Sequence, residues 1–448
     1  MNKFTSAYKA QRRSSRRRQC AVKPSNPKTR RRSSQGMFEK LPAEVFDLVL
    51  GHLSAVEASV FSLVSKSISN CIVRHLSTPA WRNQMIFQKF HCTSPKAEHL
   101  NTMLDHFRSL GLLFKRCTLL LPTKERLKLI YNTFSQIPCF MIKRCDAVPL
   151  CQGFSCYGVF LQTLVAGWDE LECHRVFNFF CKTTHLQWKI EAAVTSKPGT
   201  CHRLELEVRV FCRCVMFDRW KNNRDAHFWL ACILKPWPII SQARLLFILF
   251  GPLQSDGKLG WQDVRDGAVV HGALWDLAKA ILLLYGNADK FWGTDTILAI
   301  VHELMVMPQP WHMENMARLL ILCGNNICYN VIASKAINGR LFEISRLLIF
   351  LILVSEKDGY CMNWVVKMIQ QVYQVFSVAL EKRTFIERME SMFSEVTMEL
   401  VELVMAGEKR AQGHQNGEMD TALRSLNSLL IANARFHTEI VCIFLKNK

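Results

Sequence analysis

Apolar residues return three and four positions apart along most of this chain, and the first such run is the most ordered. Val45, Leu48, Val49 and Leu53 fall at helical spacing behind Pro42, whose missing N–H and fixed φ suit a first helical turn. Val56, Val60, Leu63 and Val64 predict a second helix starting near Ala55. Ser77-Thr78-Pro79 supplies a cap and a first-turn proline for a third, which carries Trp81, Met85, Ile86 and Phe90. Three short helices in about fifty residues bury too little surface to stand securely alone, so a partner is expected to cover part of them.

The same period continues toward the C-terminus. Thr123 is placed to cap a segment in which Leu127, Ile130, Tyr131 and Phe134 sit at i, i+3, i+4 and i+7. Asp169, Glu170 and Glu172 stand where a helix start favours acids. Lys235-Pro236-Trp237-Pro238 is a hard break, and residues 254–267 read as a polar loop. Leu204 to Val210 alternates like a strand, but its continuation through Phe211, Cys212, Val215 and Met216 fits a helix better. All 14 prolines lie at or before Pro310, and the chain beyond shows amphipathic runs near 340–355, 361–378, 383–404 and 420–445. The expected fold is all-α: a disordered basic N-terminal tail, a three-helix module, then an irregular helical array, either α-solenoid-like or built as paired helical subdomains. The expected divisions are 1–36, 37–91, 92–250, a polar loop at 251–270, and 271–448.

Leu41-Pro42-x-Glu44-Val45, followed by Leu48, Leu50, Leu53, Leu63-Val64-Ser65-Lys66 and Trp81, resembles an F-box. That module plugs a substrate receptor into a cullin-RING ubiquitin ligase through the adaptor Skp1. The resemblance implies a non-catalytic receptor subunit of a Skp1–cullin–F-box (SCF) ligase. It would hold Skp1, and through it the cullin and RING subunits, while the helical array binds a protein target for ubiquitination. Leu41, Pro42, Glu44, Val45, Leu48, Leu50 and Leu53 are then expected at the Skp1 contact. Leu63, Val64 and Trp81 are expected to be shared between that contact and the module's own packing. The sequence departs from the family pattern at Ala58, where a large aliphatic residue is usual, and after Ser65-Lys66, where no tryptophan follows. Beyond residue 91 no leucine-rich, WD40 or kelch period recurs, which places the chain among F-box proteins whose target-binding part has no named repeat. Segments Arg108–Arg126, Gly167–Val176, Ile233–Pro238 and Gly324–Cys328 carry a further resemblance to one branch of the family, from about residue 38 onward.

Charge changes the picture in one place. The first 36 residues hold 12 Lys and Arg and no acid, so the remaining 412 carry only +8 of the +20. The basic character is therefore a property of the tail. Arg12, Arg13, Arg16, Arg17 and Arg18, then Lys28, Arg30, Arg31 and Arg32, form two clusters in a segment with no apolar face to bury, which favours nuclear import. Ser15 and Ser34 follow paired arginines and are candidate phosphorylation sites. Nucleic-acid contact is confined to this tail, and the expected location is nucleus and cytoplasm, with the nucleus favoured. The competing reading is a non-catalytic nuclear or chromatin scaffold that binds Skp1 without entering a cullin ligase.

Other chemistry leaves only fragments. The strongest apolar run, Leu347 to Val354, is eight residues against the roughly 20 needed to cross a bilayer, so no membrane contact is expected. The 18 cysteines are scattered singly, with no Cys-x-x-Cys, and read as reduced buried thiols; no metal or cofactor is expected. A site built from Cys145, Cys151, Cys156 and His174 is the only metal alternative. Gly153-Phe-Ser-Cys-Tyr-Gly158 has one residue too many for a nucleophile elbow, and His437-Thr-Glu439 lacks the cysteines of a deaminase. Target-contact residues cannot be read from the sequence; Trp237, Trp261, Trp275, Trp292 and Trp311 are either anchors for a partner or core.

Overall fold

The computed structural model describes residues 38, 41–86, 97–137, 152–220, 223–286, 292–410 and 416–446. Among them every regular element is a helix, apart from one isolated bridge between Leu253 and Leu259. The basic tail, with its two arginine clusters and Ser15 and Ser34, lies outside the described residues, as do Phe90, Cys145 and Cys151.

The N-terminal module has four helices where three were expected: α1 (Ala43–His52), α2 (Ala55–Phe61), α3 (Lys66–Leu76) and α4 (Pro79–Met85). The second expected helix breaks after Phe61. Ser65 caps a new one by accepting the Ile68 N–H at 3.2 Å, so Leu63 and Val64 sit in a turn. Ile68, Ile72 and Leu76, four apart, are the face that α3 buries. The third expected helix is α4, where Thr78 caps the Trp81 N–H ahead of Pro79.

Two glycines join this module to the array. Helix α5 (Ala97–Cys117) packs against α2 and α3 on one side and α7 (Gln152–Val165) on the other. A Cβ on Gly111 of α5 would lie 2.7 Å from the Phe160 carbonyl oxygen. On the far side of α7, a Cβ on Gly158 would lie 2.2 Å from the Cys214 carbonyl oxygen, so the helix backbone rides directly on its neighbour. That neighbour is α10 (His202–Phe211), helical as its longer pattern predicts, which opens into a π-helical turn over Cys212–Phe217.

Local signals place the next elements, with one exception. Helix α6 (Thr123–Phe134) has Pro122 at its cap, so Thr123 is the first helical residue and not the cap; its hydroxyl instead bonds Glu172. Asp169 caps α8 (Glu170–Thr184) by accepting the Glu172 N–H at 2.8 Å. Helix α9 (Leu186–Thr195) follows, and α11 (Asn223–Leu234) and α12 (Ile239–Phe250) flank the proline break.

The polar loop does not divide two cores. Helix α12 packs on α14 (Trp275–Tyr285) and α15 (Thr294–Val306) beyond it. Trp261 stacks on Phe247 with centroids 3.9 Å apart and donates to buried Glu205 at 3.2 Å. The short α13 (Asp263–Asp266) is pinned by Asn315 of α16 (Met313–Leu322). The Asn315 amide donates to the Val264 and Gly267 carbonyls, and its oxygen accepts the Val269 N–H at 2.9 Å.

The last third comprises α17 (Gly324–Ile337), α18 (Leu341–Lys357), α19 (Met362–Val375), α20 (Ala379–Arg410) and α21 (Asn416–Lys446). Leu347 to Val354 of α18 are all buried, enclosed by α16, α20 and α21. A helix apolar all round belongs in an interior. No helix among the described residues is long and apolar enough to cross a membrane. Charged pairs staple the ends of α18: Arg346 is bidentate to Glu399 at 2.7 Å, Arg435 meets Glu356 at 2.9 Å, and Lys357 meets Glu314 at 2.8 Å.

Gly158→Ala is expected to destabilise the protein by about 1–3 kcal/mol, because the added methyl overlaps a backbone carbonyl that cannot rotate away. A urea titration beside a Gly51→Ala control, where nothing lies within 4 Å of the added carbon, measures it.

Candidate adaptor-docking surface

The F-box-like segment has two apolar faces, and only one is used inside the chain. On α1, Phe46 and Leu50 turn inward, with Phe46 stacked on Phe61 at 5.9 Å. Val45 and Leu48 point out, Leu48 with 67% of its surface exposed. The stripe drawn from the sequence through Val45, Leu48, Val49 and Leu53 therefore straddles the two faces, and it missed Phe46, the residue that anchors the core. An apolar residue at nearly every position from Val45 to Leu50 makes the inward face ambiguous from spacing alone.

Helix α2 repeats the arrangement. Ser54 and Glu57 form a reciprocal capping box, the Ser54 N–H donating to the carboxylate at 2.8 Å; these bonds draw the Glu57 carboxyl below its ordinary pKa. Ala55, Ala58 and Ser59 face inward and Val56 and Val60 outward. Ala58, small where the family is usually bulky, sits on the side where α2 lies against α5. There Arg116 donates to the Ser59 hydroxyl at 2.9 Å and the Ser69 hydroxyl donates to the Cys117 carbonyl at 2.8 Å. The turn after α2 then presents Leu63 and Val64, both more than half exposed.

Val45, Leu48, Val56, Val60, Leu63 and Val64 thus face solvent from one small module. Covering a side chain of this kind contributes about 1.5–3 kcal/mol, and a monomer gains nothing by leaving six uncovered. Of the other expected contact residues, Pro42 and Glu44 are exposed and Leu41 and Leu53 half-buried at the margin. Leu50 and Trp81 are core: Leu50 is 4% exposed, and Trp81 packs on Phe114 of α5 with centroids 6.3 Å apart.

Elsewhere the candidate chemistry disperses. Trp261, Trp292 and Trp311 are buried, Trp237 is half-buried, and Trp275 alone of those five is exposed. His174 meets Cys232 at 3.6 Å, not Cys156, and burial pushes the Cys232 thiol up to about 12, where it is inert. Among the described residues no three potential ligands gather around one point. Ser155 lies inside α7, and Glu172 is engaged by Thr123 and Arg175 without converging on His174.

A small helical module that leaves apolar side chains exposed is thus fused to a long helical array. A family model described as "FBXO47, ARM repeats" matches residues 182–440. F-box only protein 47 of Homo sapiens is 46% identical over 432 residues, covering 96% of this chain and 94% of its own; that of Mus musculus is 47% identical over 411, covering 91% and 90%. No solved structure matches. The chain belongs to the F-box only protein 47 family. Two expectations change with this. The array does have a named repeat, which favours the solenoid over paired subdomains, and the human match, leaving 16 of 448 residues uncovered, reaches into the first 36 residues.

Leu50→Ala is expected to cost about 2–5 kcal/mol of stability as a core truncation, while Leu48→Ala stays within about 0.5 kcal/mol. Paired denaturant titrations separate the two faces of α1.

Proposed function

We propose that the protein is the substrate-recognition subunit of an SCF ubiquitin ligase. Its F-box binds Skp1, the ARM-repeat array holds a protein target, and no catalytic group of its own is required. The observation that carries this reading is the exposed apolar face of Val45, Leu48, Val56, Val60, Leu63 and Val64 on a module whose relatives are named as F-box proteins. Leu41, Pro42, Glu44 and Leu53 border that face and complete the contact, with Leu50 and Trp81 supporting it from within. The basic tail serves nuclear import.

Pull-down of full-length protein is expected to recover Skp1, cullin and RING subunit together. Leu48→Ala/Val64→Ala should lose them, with Skp1 affinity falling about tenfold or more and the melting curve unchanged. Recovery of Skp1 without cullin would favour the scaffold; no Skp1 would leave the F-box as a fold only. Deleting residues 1–36 is expected to shift the protein from nucleus to cytoplasm in fluorescence imaging, and an unchanged distribution rejects the import role.

A further inference from the structure

Helix α21 lies against α18, α19 and α20 through one face, on which Ser425, Leu429, Ala432 and Phe436 are buried. The opposite face carries a second pattern. Leu423, Asn427, Leu430, Ala434, His437 and Val441 are all exposed, at steps of four, three, four, three and four residues. Such steps average about 3.5 residues, the period that keeps one side of a helix against a partner helix along its whole length. Leu430 and Val441 leave 54% and 55% of their surface uncovered, and Ile431 beside the stripe is exposed as well. Packing among the described residues does not account for that period, because it uses the other face.

We propose that this stripe is a homodimer interface, in which α21 pairs antiparallel with α21 of a second copy of the chain. The order of the six residues names that occupant. Read from either end they run apolar, polar, apolar, apolar, polar, apolar. Two copies laid antiparallel, with the twofold axis at Ala432, therefore match at every level. Leu423 faces the second copy's Val441, Asn427 faces its His437, and Leu430 faces its Ala434; symmetry supplies the other three contacts. Each apolar residue meets an apolar one, and the single small residue receives a leucine. The Asn427 amide bonds the imidazole, where burial without a partner would cost about 1–3 kcal/mol. Ile431, next to the axis, meets its own counterpart. A patch complementary to itself about a twofold is what an isologous interface requires. Parallel helices in register would instead set alanine on alanine and histidine on histidine, leaving a void and two like groups in contact. The stripe is about 27 Å long at 1.5 Å per residue. Its six residues and their flanks fall well short of the roughly 20–30 residues a side of a standard interface, so dissociation at about 10 μM is expected. The dimer carries two F-box modules, and its pairing does not depend on what they bind.

Sedimentation of the full-length protein from about 1 to about 100 μM tests this, and wild type is expected to pass from monomer to dimer across that range. Leu430→Glu should weaken association by about tenfold or more, with an unchanged melting curve at the lowest concentration because the side chain is exposed in the monomer. Asn427→Lys should weaken it as well. Asn427→Lys/His437→Glu should restore it, since the two introduced charges meet only when the helices run antiparallel. A wild type that stays monomeric at the highest concentration overturns the inference, as does a dimer that Leu430→Glu leaves intact. If the double variant fails to recover, the antiparallel pairing is wrong and the inference falls with it. If the protein stays monomeric and hydrogen exchange over residues 423–441 slows on adding purified Skp1, the adaptor covers the stripe and a second copy does not.

Discussion

The structure turns on the closeness of three backbones at α7. Gly111 lets α5 meet one side of that helix and Gly158 lets the π-turn of α10 meet the other, each at a separation no side chain could tolerate. Through α5 the first contact carries the F-box module; through α10 the second leads into α9 and α12 and so to the array. The π-turn belongs to the same arrangement, since an extra residue in the helical turn changes where its carbonyls stand, and Cys214 offers its oxygen to Gly158. The buried residues accordingly run as one connected core from Phe46 to Phe436.

At the other end of the molecule, charges do what glycines do at α7. Arg318 and Asp358, both nearly buried, form a two-point pair, and Arg318 also donates to the Val269 carbonyl at 2.9 Å. Lys357 bonds both oxygens of Glu314 and the Ser425 hydroxyl, tying α18 to α16 and α21. Such pairs add little net stability over apolar packing, but a lone partner left in place would be costly. They fix points of contact among α16, α18 and α21, whereas Leu347 to Val354 are apolar on every side of α18.

Local signals were readable and distant ones were not. Ser77-Thr78-Pro79, Asp169 and the Lys235–Pro238 break act within a few residues, and each marks an element boundary. Ser65 is an equally local cap, but Leu63 and Val64 continue the spacing of Val56 and Val60 and hide it. The inward side of α1 depends on Phe61, and the folding-down of the polar loop depends on Phe247 and, 56 and 51 residues from their partners, on Glu205 and Asn315; no short window on the sequence holds those pairings. The repeats escape for a related reason. Helices stacked in an array need only an apolar stripe on each face, and many residue combinations supply one. The exposed half of the F-box was half-visible: Val45, Leu48, Leu63 and Val64 stood among the expected contact residues, Val56 and Val60 only in a helical stripe, and which residues the module keeps for itself required α5.

That dependence on α5 redraws the edge of the F-box. Ser59 accepts from Arg116 and Ser69 donates to the Cys117 carbonyl, and both serines, like Ala58, are buried. A fragment ending near residue 91 would turn a row of small and hydroxyl-bearing side chains outward, with their hydrogen bonds handed to water and the tryptophan at position 81 stripped of Phe114. The packing of the F-box thus runs on to Cys117, which makes the module a bound edge of the array.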